Sequence, residues 1–487
     1  MSTASNTASI DSTNQILKTD VAILGSGPGG YVAAIRLAQL GKSVVVIEKD
    51  KIGGVCLNVG CIPSKALITV SKLVKNARNA SKMGVEAHVD VNNAKLQEWK
   101  EDVVTKLTGG VSLLLKSYKV KVLHGIGRFV SENQIEVTSI GSEGALTQVE
   151  FSFAIIATGS SSIELPNLKF DGNRIVSSTE ALSFEKTPMK LLIVGGGVIG
   201  LEIGMAYANL FGTELTIVEM LDQLLPGVDL DLVNVVVRSL QKLNSKIYLK
   251  SKVISSSSVG EQESVVFETE DKAEAKLEVD KVLVSIGRRP NSNNLGLEKV
   301  GVELDPKGYV KTDKQLRTTN PQIFAIGDVV GVPLLAHKAM KEGVVAAEVI
   351  SGLKSSFDNL AMPSAIFTDP EIAIVGLSSN DAQKRGIQTK TGKFPFAASG
   401  RAIASLETEG FTKIIADKDS GLILGAGIVG QESSDLISET TLAIEMGATL
   451  EDIALTIHAH PTLPETVMEA AENALGKAIH IQNRPNP

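Results

Sequence analysis

Three observations predict an α/β fold of about three domains for this chain. The composition is aliphatic and glycine-rich: 43% of the 487 residues are hydrophobic, only 4% are aromatic, and 44 are glycine. A unit of strand, glycine loop, helix, strand and terminal acid occurs twice, with Gly25 of the first copy and Gly195 of the second 170 positions apart. Beyond residue 363 the texture changes to strands followed by helices, as expected of a separate α+β domain.

Residues 1–18 are rich in Ser, Thr and Asn and have no apolar core, which fits neither a secretory signal nor an Arg-rich transit peptide. They are expected to form a disordered tail. Residues 20–24 then make a short apolar strand, followed at once by Gly25, Gly27 and Gly30 in a G-x-G-x-x-G pattern. A helix is expected over 31–40 and a second strand over 44–47, ending in Glu48. The glycines permit a tight turn, close approach of a pyrophosphate and close helix–strand packing. The helix N-terminus offers amide donors, and the acid accepts from a ribose hydroxyl.

The stretch 53–65 holds the only two cysteines, Cys56 and Cys61, with four residues between them. In a regular helix such residues are offset by about 7.5 Å along the axis and about 140° around it. A disulfide needs Cα atoms roughly 4.4–6.8 Å apart. Bridging therefore requires a break in the helix, which Gly60 is best able to allow. Spacing alone leaves three readings open: a labile redox pair, a structural link around too short a loop to stabilise much, or two inert thiols. Pro63 suits a first helical turn, and a helix over 64–76 would place its N-terminus beside a thiol, which favours the thiolate. Helical patterns follow to 116, broken near 84–92. Strands are expected around His124, Gly125 and Gly127, and a return strand over 151–157 closes at Thr158, Gly159 and Ser160.

The second unit opens at Pro188, with a strand over 191–194, the glycines Gly195, Gly197 and Gly200, a helix over 201–210, and a strand ending in Glu219. A carboxylate there pairs with a free ribose 2′-hydroxyl and repels a 2′-phosphate, so NAD is expected rather than NADP. Two nucleotide sites with a cysteine pair suggest electron relay between two cofactors; the alternative is that one copy only packs. Residues 282–286 form another apolar strand closed by Gly287, and 318–328 end in Gly327-Asp328, whose carboxylate could be an ordinary loop acid. The C-terminal region carries His458-Ala459-His460-Pro461-Thr462-Leu463-Pro464-Glu465. Two readings stand for it. Thr462 and Glu465 fit a capping box for a helix running to Leu475, with His460 merely buried. Alternatively His460 is an acid–base group oriented by Glu465. Metal binding by His458 and His460 is not expected, since no cysteine or acid cluster completes a site.

A net charge of −7 without a basic stripe argues against nucleic-acid binding. No continuous apolar run reaches the length of about 20 residues that crosses a bilayer, so no membrane span is expected. Two cysteines in so long a chain suit a reducing compartment, and a cytoplasmic location is expected.

With these blocks assembled, the chain resembles the pyridine nucleotide–disulfide oxidoreductases, and among them the enzymes that oxidise dihydrolipoamide. The likeness runs from about Lys18 through residues 25–30, 53–65, 195–202, 318–328 and 458–465, and the cysteine and His-Pro-Thr-Leu-Pro-Glu blocks are highly specific together. The resemblance implies two Rossmann-like nucleotide-binding domains, for FAD and NAD, plus an α+β C-terminal dimerisation domain. The expected division is a tail at 1–18, an FAD-binding domain with the redox disulfide at 19–160, an NAD-binding domain at 161–288, a central domain completing the FAD site at 289–362, and an interface domain at 363–487.

The resemblance further implies that Gly25, Gly27 and Gly30 hold FAD, with Glu48 on its adenosine ribose, Lys65 near the isoalloxazine and Asp328 along the ribityl–phosphate region. Gly125, Thr158, Gly159, Ser160 and Ala336 would also touch it. NAD would lie on Gly195, Gly196, Gly197, Val198, Ile199 and Gly200 with Glu202, Glu219, Val253 and Gly287, and Glu202 would also pair with Lys65. Cys56 would exchange with the dithiol, Cys61 would face the flavin, and His460 with Glu465 would deprotonate dihydrolipoamide. A homodimer is implied, with each site completed by His460 of the partner subunit. The implied partners are lipoyl-bearing proteins of 2-oxo-acid dehydrogenase complexes or the glycine cleavage system. The lack of a C-terminal cysteine pair disfavours the mercuric and large thioredoxin reductases, the presence of both active-site cysteines disfavours the single-cysteine NADH oxidases, and Glu219 disfavours the NADPH-dependent glutathione reductases. Two alternatives remain: another small-disulfide reductase, or chiefly a docking subunit of a multienzyme complex.

Overall fold

The computed structural model describes residues 15–140 and 146–483. They divide into two compact units, residues 1–58, 104–161 and 288–358 in the first and 59–103, 162–287 and 359–487 in the second.

The first unit is built on one sheet. Its parallel part runs, in spatial order, Ile323–Ala325, Leu146–Ile156, Gln15–Leu24, Val44–Glu48 and Lys121–Ser131. The two long strands extend beyond it and join Gln134–Ser139 in an antiparallel meander. Both faces of the parallel part are covered, so its strands read as continuous apolar runs rather than as alternation. Val21, Ile23, Val46 and Ile155 pack under the helices, while Ala22, Leu24, Ile47 and Ile156 pack on the other face with Phe129 and Ile135. The helix Pro28–Gln39 follows the first glycine loop directly and lies against the helix Ala336–Ile350. Their approach needs glycine: a Cβ on Gly343 would stand 2.7 Å from the Gly29 carbonyl oxygen.

Three expectations are corrected here. Residues 15–18 are not tail. They begin the first strand, with Ile16 opposite Gln148 and Lys18 opposite Glu150. The four residues Gln15 to Lys18 adjoin a Ser-, Thr- and Asn-rich run that hides a strand pairing made through the backbone ladder. The rest of the expected tail, residues 1–14, lies outside the described residues. The segment 289–362 is not a separate central domain either, since Ile323–Ala325 is an edge strand of the first sheet. Residues 59–103, expected in the first domain, group with the second unit.

The second unit carries a parallel sheet in the order Lys246–Tyr248, Glu214–Val218, Lys190–Val194, Lys281–Val284 and Ile175–Val176, flanked by an antiparallel meander over Lys252–Val259, Gln262–Glu268 and Glu274–Val279. Its C-terminal part is an antiparallel sheet in the order Ser364–Ile366, Glu371–Gly376, Ile423–Gly430, Phe411–Asp417 and Thr389–Pro395. The helices Ser433–Glu445, Leu450–Leu455 and Glu465–Ala474 share its core through Leu436, Ile437, Leu450 and Val467. The α/β class with two nucleotide-binding topologies and an α+β C-terminal part is thus the observed one.

Gly54–Met83 is apolar and long enough, by length and composition, to pass for a membrane span, a window that counting uninterrupted apolar runs passes over. It is nevertheless broken at Gly60, and Leu67 and Val74 of Cys61–Asn79 are buried in the second unit's core with Leu201 and Met205.

Candidate functional site

The first glycine loop sits at the carboxyl end of Gln15–Leu24, where open α/β sheets bind nucleotides. Gly25 has φ +98, and a Cβ there would lie 2.4 Å from the Ala157 carbonyl oxygen. Gly27 caps Pro28–Gln39, and a Cβ there would meet nothing within 4 Å among the described residues, so the helix N-terminus faces open space. Glu48 is buried across the loop. Its Oε2 accepts from the Ser26 amide and hydroxyl, both at 2.7 Å, and its Oε1 from the Asp50 amide at 2.8 Å. An open amide end beside a fixed acid is the donor and acceptor set that a dinucleotide's pyrophosphate and ribose require, and FAD fits it.

Further contacts converge on this loop. The redox stretch begins against it, since Gly53 N donates to the Ser26 carbonyl at 3.0 Å. Thr158 and Gly159 are tied to Asn291: the Thr158 hydroxyl donates to its carbonyl at 2.7 Å, and its amide donates to the Gly159 carbonyl at 2.9 Å. The Ser160 hydroxyl donates to Asp328 Oδ2 at 2.5 Å and accepts from Arg288 Nε at 2.7 Å. Asp328 rides on the turn Gly327–Val330, which a buried ion pair brackets. Gly327 N donates to Glu342 Oε2 at 2.6 Å, Lys338 Nζ donates to the Gly331 carbonyl at 3.2 Å, and Lys338 meets Glu342 Oε1 at 2.9 Å. Burial pushes the Glu342 carboxyl up from its ordinary value, against the pull of Lys338 and the Gly327 amide. Ala336 opens the helix that carries both residues. Gly125 is a strand glycine whose Cβ would stand 2.6 Å from the Thr138 carbonyl oxygen.

The second loop repeats this scheme. Gly195 has φ +99, with Cβ space closed by the Ser285 carbonyl oxygen at 2.7 Å, and Gly200 is closed by the Ser285 hydroxyl at 2.4 Å. Gly197 caps Val198–Phe211, and the nearest atom to a Cβ there is 3.9 Å away. Glu219 is buried and accepts from Gly196 N at 2.5 Å and Leu221 N at 2.7 Å. Val198 and Ile199 are partly exposed at the helix start, and Gly287 has φ +121. The open N-terminus and fixed acid suit NAD. Val253 is an exception: its side chain is buried in the sheet core with Val218 rather than lining open space.

The cysteine stretch forms two helices, Gly54–Val59 and Cys61–Asn79, with Gly60 between them at φ −143, ψ −111. The break falls at the expected glycine. Cys56 is half-buried in the short helix, and Cys61 is exposed as the first residue of the long one, where the helix N-terminus favours a thiolate. Lys65, one turn on, gives an ion pair to Glu202 Oε2 at 2.9 Å. Glu202 lies four residues into Val198–Phe211, as Lys65 lies four into Cys61–Asn79. Near the other ends Arg78 donates to the carbonyls of Asn209 at 2.5 Å and Leu210 at 3.2 Å. The redox helix and the second-loop helix therefore run in the same direction.

His460 Nδ1 is 2.8 Å from Glu465 Oε1, and the imidazole is 80% exposed, which leaves Nε2 accessible. The expected capping box is corrected. Thr462 N does donate to Glu465 Oε2 at 2.7 Å, but the Thr462 hydroxyl turns back to the Ala459 carbonyl at 2.6 Å, and the helix Glu465–Ala474 starts at the acid itself. The His460 ring is at the surface, not buried, so the bland reading loses both its supports. Burial alone would raise the Glu465 carboxyl, but the Thr462 amide and His460 outweigh it and hold the carboxyl below its ordinary range. His458 is held between the Thr456 carbonyl and Glu439, each at 2.8 Å.

Sequence reasoning missed the supporting contacts: Ser26 on Glu48, Asn291 on the 158–160 turn, Phe367 and Asp369 around the redox helix, and Lys338–Glu342. Only the last pair carries a local signal, its i,i+4 spacing on a helix.

A chain with two such glycine-loop and acid sites and a cysteine pair at a helix start has the makings of a two-nucleotide disulfide oxidoreductase. Residues 19–343 match the family described as pyridine nucleotide-disulphide oxidoreductase, and residues 362–471 match that family's dimerisation domain. The chain belongs to the pyridine nucleotide-disulphide oxidoreductases. It is 50% identical to dihydrolipoyl dehydrogenase of Bacillus subtilis and 49% identical to that of Geobacillus stearothermophilus, each over 96% of this chain and 98% of the relative. Among solved structures it is similar to LpdA from Mycobacterium tuberculosis, with a TM-score of 0.86 and 28% identity over 94% of this chain and 99% of that one.

Proposed function

We propose that this chain is a dihydrolipoyl dehydrogenase: it oxidises protein-bound dihydrolipoamide to lipoamide and reduces NAD⁺ to NADH. The dithiol loses two electrons and two protons; NAD⁺ takes both electrons and one proton, and the second proton is released. The observation that carries the reading is the coexistence, in one chain about 50% identical to enzymes of that name, of the Cys56/Cys61 stretch and the His460–Glu465 pair.

The geometry supports the following residue roles. Glu465 holds Nδ1, so His460 accepts the dithiol proton at Nε2. The resulting substrate thiolate attacks Cys56 in a Cys56–Cys61 disulfide, forming a mixed disulfide, and Cys61 departs as a thiolate at the helix N-terminus. The second substrate thiol displaces Cys56, which closes lipoamide. Bound FAD would supply the two-electron relay between the reduced cysteine pair and NAD⁺. Gly25, Gly27, Gly30, Glu48 and Asp328 would hold it, Gly125, Thr158, Gly159, Ser160 and Ala336 would add to that site, and Lys65 would be its positively charged partner. Gly195 to Gly200, Glu219 and Gly287 hold NAD, and Glu202 orients Lys65.

The protein works as a homodimer, with the acid–base group supplied by His460 of the partner subunit. Leu442, Met446, Leu455 and Ile457, all exposed in the C-terminal domain, suit burial in such a contact. The partners are lipoyl-bearing proteins of a 2-oxo-acid dehydrogenase complex or the glycine cleavage system, and two cysteines in so long a chain support a cytoplasmic setting.

Steady-state rates with dihydrolipoamide and NAD⁺, set against glutathione disulfide and NADPH, test the assignment. Turnover with the first pair, and its loss in Cys56→Ser with flavin and dimer retained, is expected. Preference for the second pair, or indifference to Cys56→Ser, overturns it.

A further inference from the structure

Neither the parallel packing of the redox helix on the second-loop helix nor their shared apolar core fixes how far one slides along the other. Close-packed aliphatic faces tolerate small shifts that a thiol exchange does not. The segment Phe367 to Asp369, just after strand Ser364–Ile366 of the C-terminal sheet, touches both helices at two levels. At the upper level the Phe367 amide donates to Glu202 Oε1 at 2.8 Å while Lys65 holds the other oxygen, and the Lys65 ammonium lies 4.3 Å from the centre of the Phe367 ring. One residue thus grips both members of the bridge, by a charge-assisted hydrogen bond and a cation–π contact. At the lower level Asp369 spans the helices itself: Oδ1 accepts from Lys75 of the redox helix at 2.6 Å, and Oδ2 from Asn209 of the second-loop helix at 3.0 Å. Lys72 of the redox helix pairs with Glu371 two residues on, and Glu371 Oε2 also accepts from Ser434 at the start of Ser433–Glu445. Lys65, Lys72 and Lys75 lie along one side of the helix that begins at Cys61.

We propose that Phe367 and Asp369 are positioning residues that set the axial register of the redox helix against the NAD-loop helix, and so the place of Cys61. The proposal rests on the reading of Cys56 and Cys61 as the redox pair. It makes the C-terminal part of the chain a determinant of thiol exchange in its own subunit, besides any contribution it makes across a dimer.

The test uses the flavin-loaded dimer and rapid mixing with dihydrolipoamide in the absence of NAD⁺, followed by the bleaching of flavin absorbance. Asp369→Ala and Lys75→Met should each slow reduction by about fivefold or more, and the double variant should be no slower than the worse single, because both break one brace. Phe367→Leu should slow it similarly, and Phe367→Tyr, which keeps the ring and the amide, should restore it. The KM for NAD⁺ should stay within about twofold, since the second loop keeps its own hydrogen bonds. As a readout without turnover, alkylation of the dithiothreitol-reduced cysteines by iodoacetamide should change in rate in Phe367→Leu and revert in Phe367→Tyr. Reduction rates within twofold of wild type in Asp369→Ala and Phe367→Leu overturn the proposal. So does an equal loss in reduction rate and NAD⁺ KM, or failure of tyrosine to rescue. Should Asp369→Ala not assemble, Lys75→Met and the Phe367 pair decide. Undiminished reduction in Cys56→Ser would overturn the redox-pair reading itself, and the proposal with it.

Discussion

Replacing Glu342 by alanine should strip the protein of FAD without touching a group that contacts it. The carboxylate is 2% exposed and accepts from Gly327 N, at one end of the turn that carries Asp328, while its partner Lys338 reaches Gly331 at the other. Alanine leaves Lys338, only 6% exposed, as a buried ammonium without its counter-charge, a change that costs about 3–5 kcal/mol in comparable buried pairs. It also orphans the buried Gly327 amide, for about 1–3 kcal/mol. The two overlap, because Lys338 keeps the Gly331 carbonyl and the turn can relax toward water. About 3 kcal/mol is then a working figure, which converts to a roughly 150-fold weaker hold on FAD if the turn is ordered only with FAD bound. Flavin fluorescence released on serial dilution gives the dissociation constant directly. Glu342→Gln, which keeps an acceptor for Gly327, should fall between wild type and alanine. If Glu342→Ala binds FAD within about threefold of wild type and melts at the same temperature, the clamp does not hold Asp328, and the turn's geometry is intrinsic to its backbone.

Two further outcomes follow from the same geometry. Glu219→Ala removes the acceptor of Gly196 N and the charge that meets the ribose, so kcat/KM for NAD⁺ should fall about 10- to 100-fold while that for NADP⁺ holds or rises; an unchanged ratio between the two nucleotides would remove Glu219 from specificity. The Glu465 carboxyl is held below its ordinary range in the fold, its burial outweighed by the Thr462 amide and His460. A depressed folded-state pKa gives stability that is present above the unfolded value of about 4.3 and lost as pH falls through the folded one. Wild type should therefore lose stability faster than Glu465→Gln below about pH 4.3 in acid titrations of thermal unfolding, and parallel curves for the two would show that the carboxyl makes no net favourable contact in the fold.

The chemistry of this chain was legible because it is local. Each nucleotide loop with its helix, next strand and acid fits within 25 residues, Gly25 to Glu48 and Gly195 to Glu219, although the neighbours that close in on Gly25 and Gly195, Ala157 and Ser285, lie far outside that window. The break at Gly60 and the His460–Glu465 pair are local in the same sense, within five residues of the groups they serve. Where local reasoning failed, a neighbour in space had changed a residue's options. Thr462 has the right spacing for a capping box, yet its hydroxyl finds the Ala459 carbonyl nearer. Val253, expected on NAD, has its side chain buried with Val218 and Phe267 in the sheet core. Residues 15–18 read as tail because nothing in their composition announces the strand at 146–150 that pairs with them.

The braces on the redox helix show why the remainder was hidden. Lys72 and Glu371 are 299 positions apart, Lys75 and Asp369 are 294 apart, and Lys65 meets Phe367 across a comparable distance. In the sequence the three lysines are an unremarked polar stripe on a helix, indistinguishable from a solvated face, because charge says nothing about which acid will meet it. Their side chains are between 32% and 38% exposed while two of their acids, Glu202 and Glu371, are 5% exposed, so the acids rather than the lysines are committed to the interior. A buried carboxylate without its cation is the costly state, and this makes the lysine stripe the element that must fall into place once the two helices and the C-terminal sheet have packed. The position of the reactive thiol is then set from a distance, by residues whose own sequence context gives no sign of it.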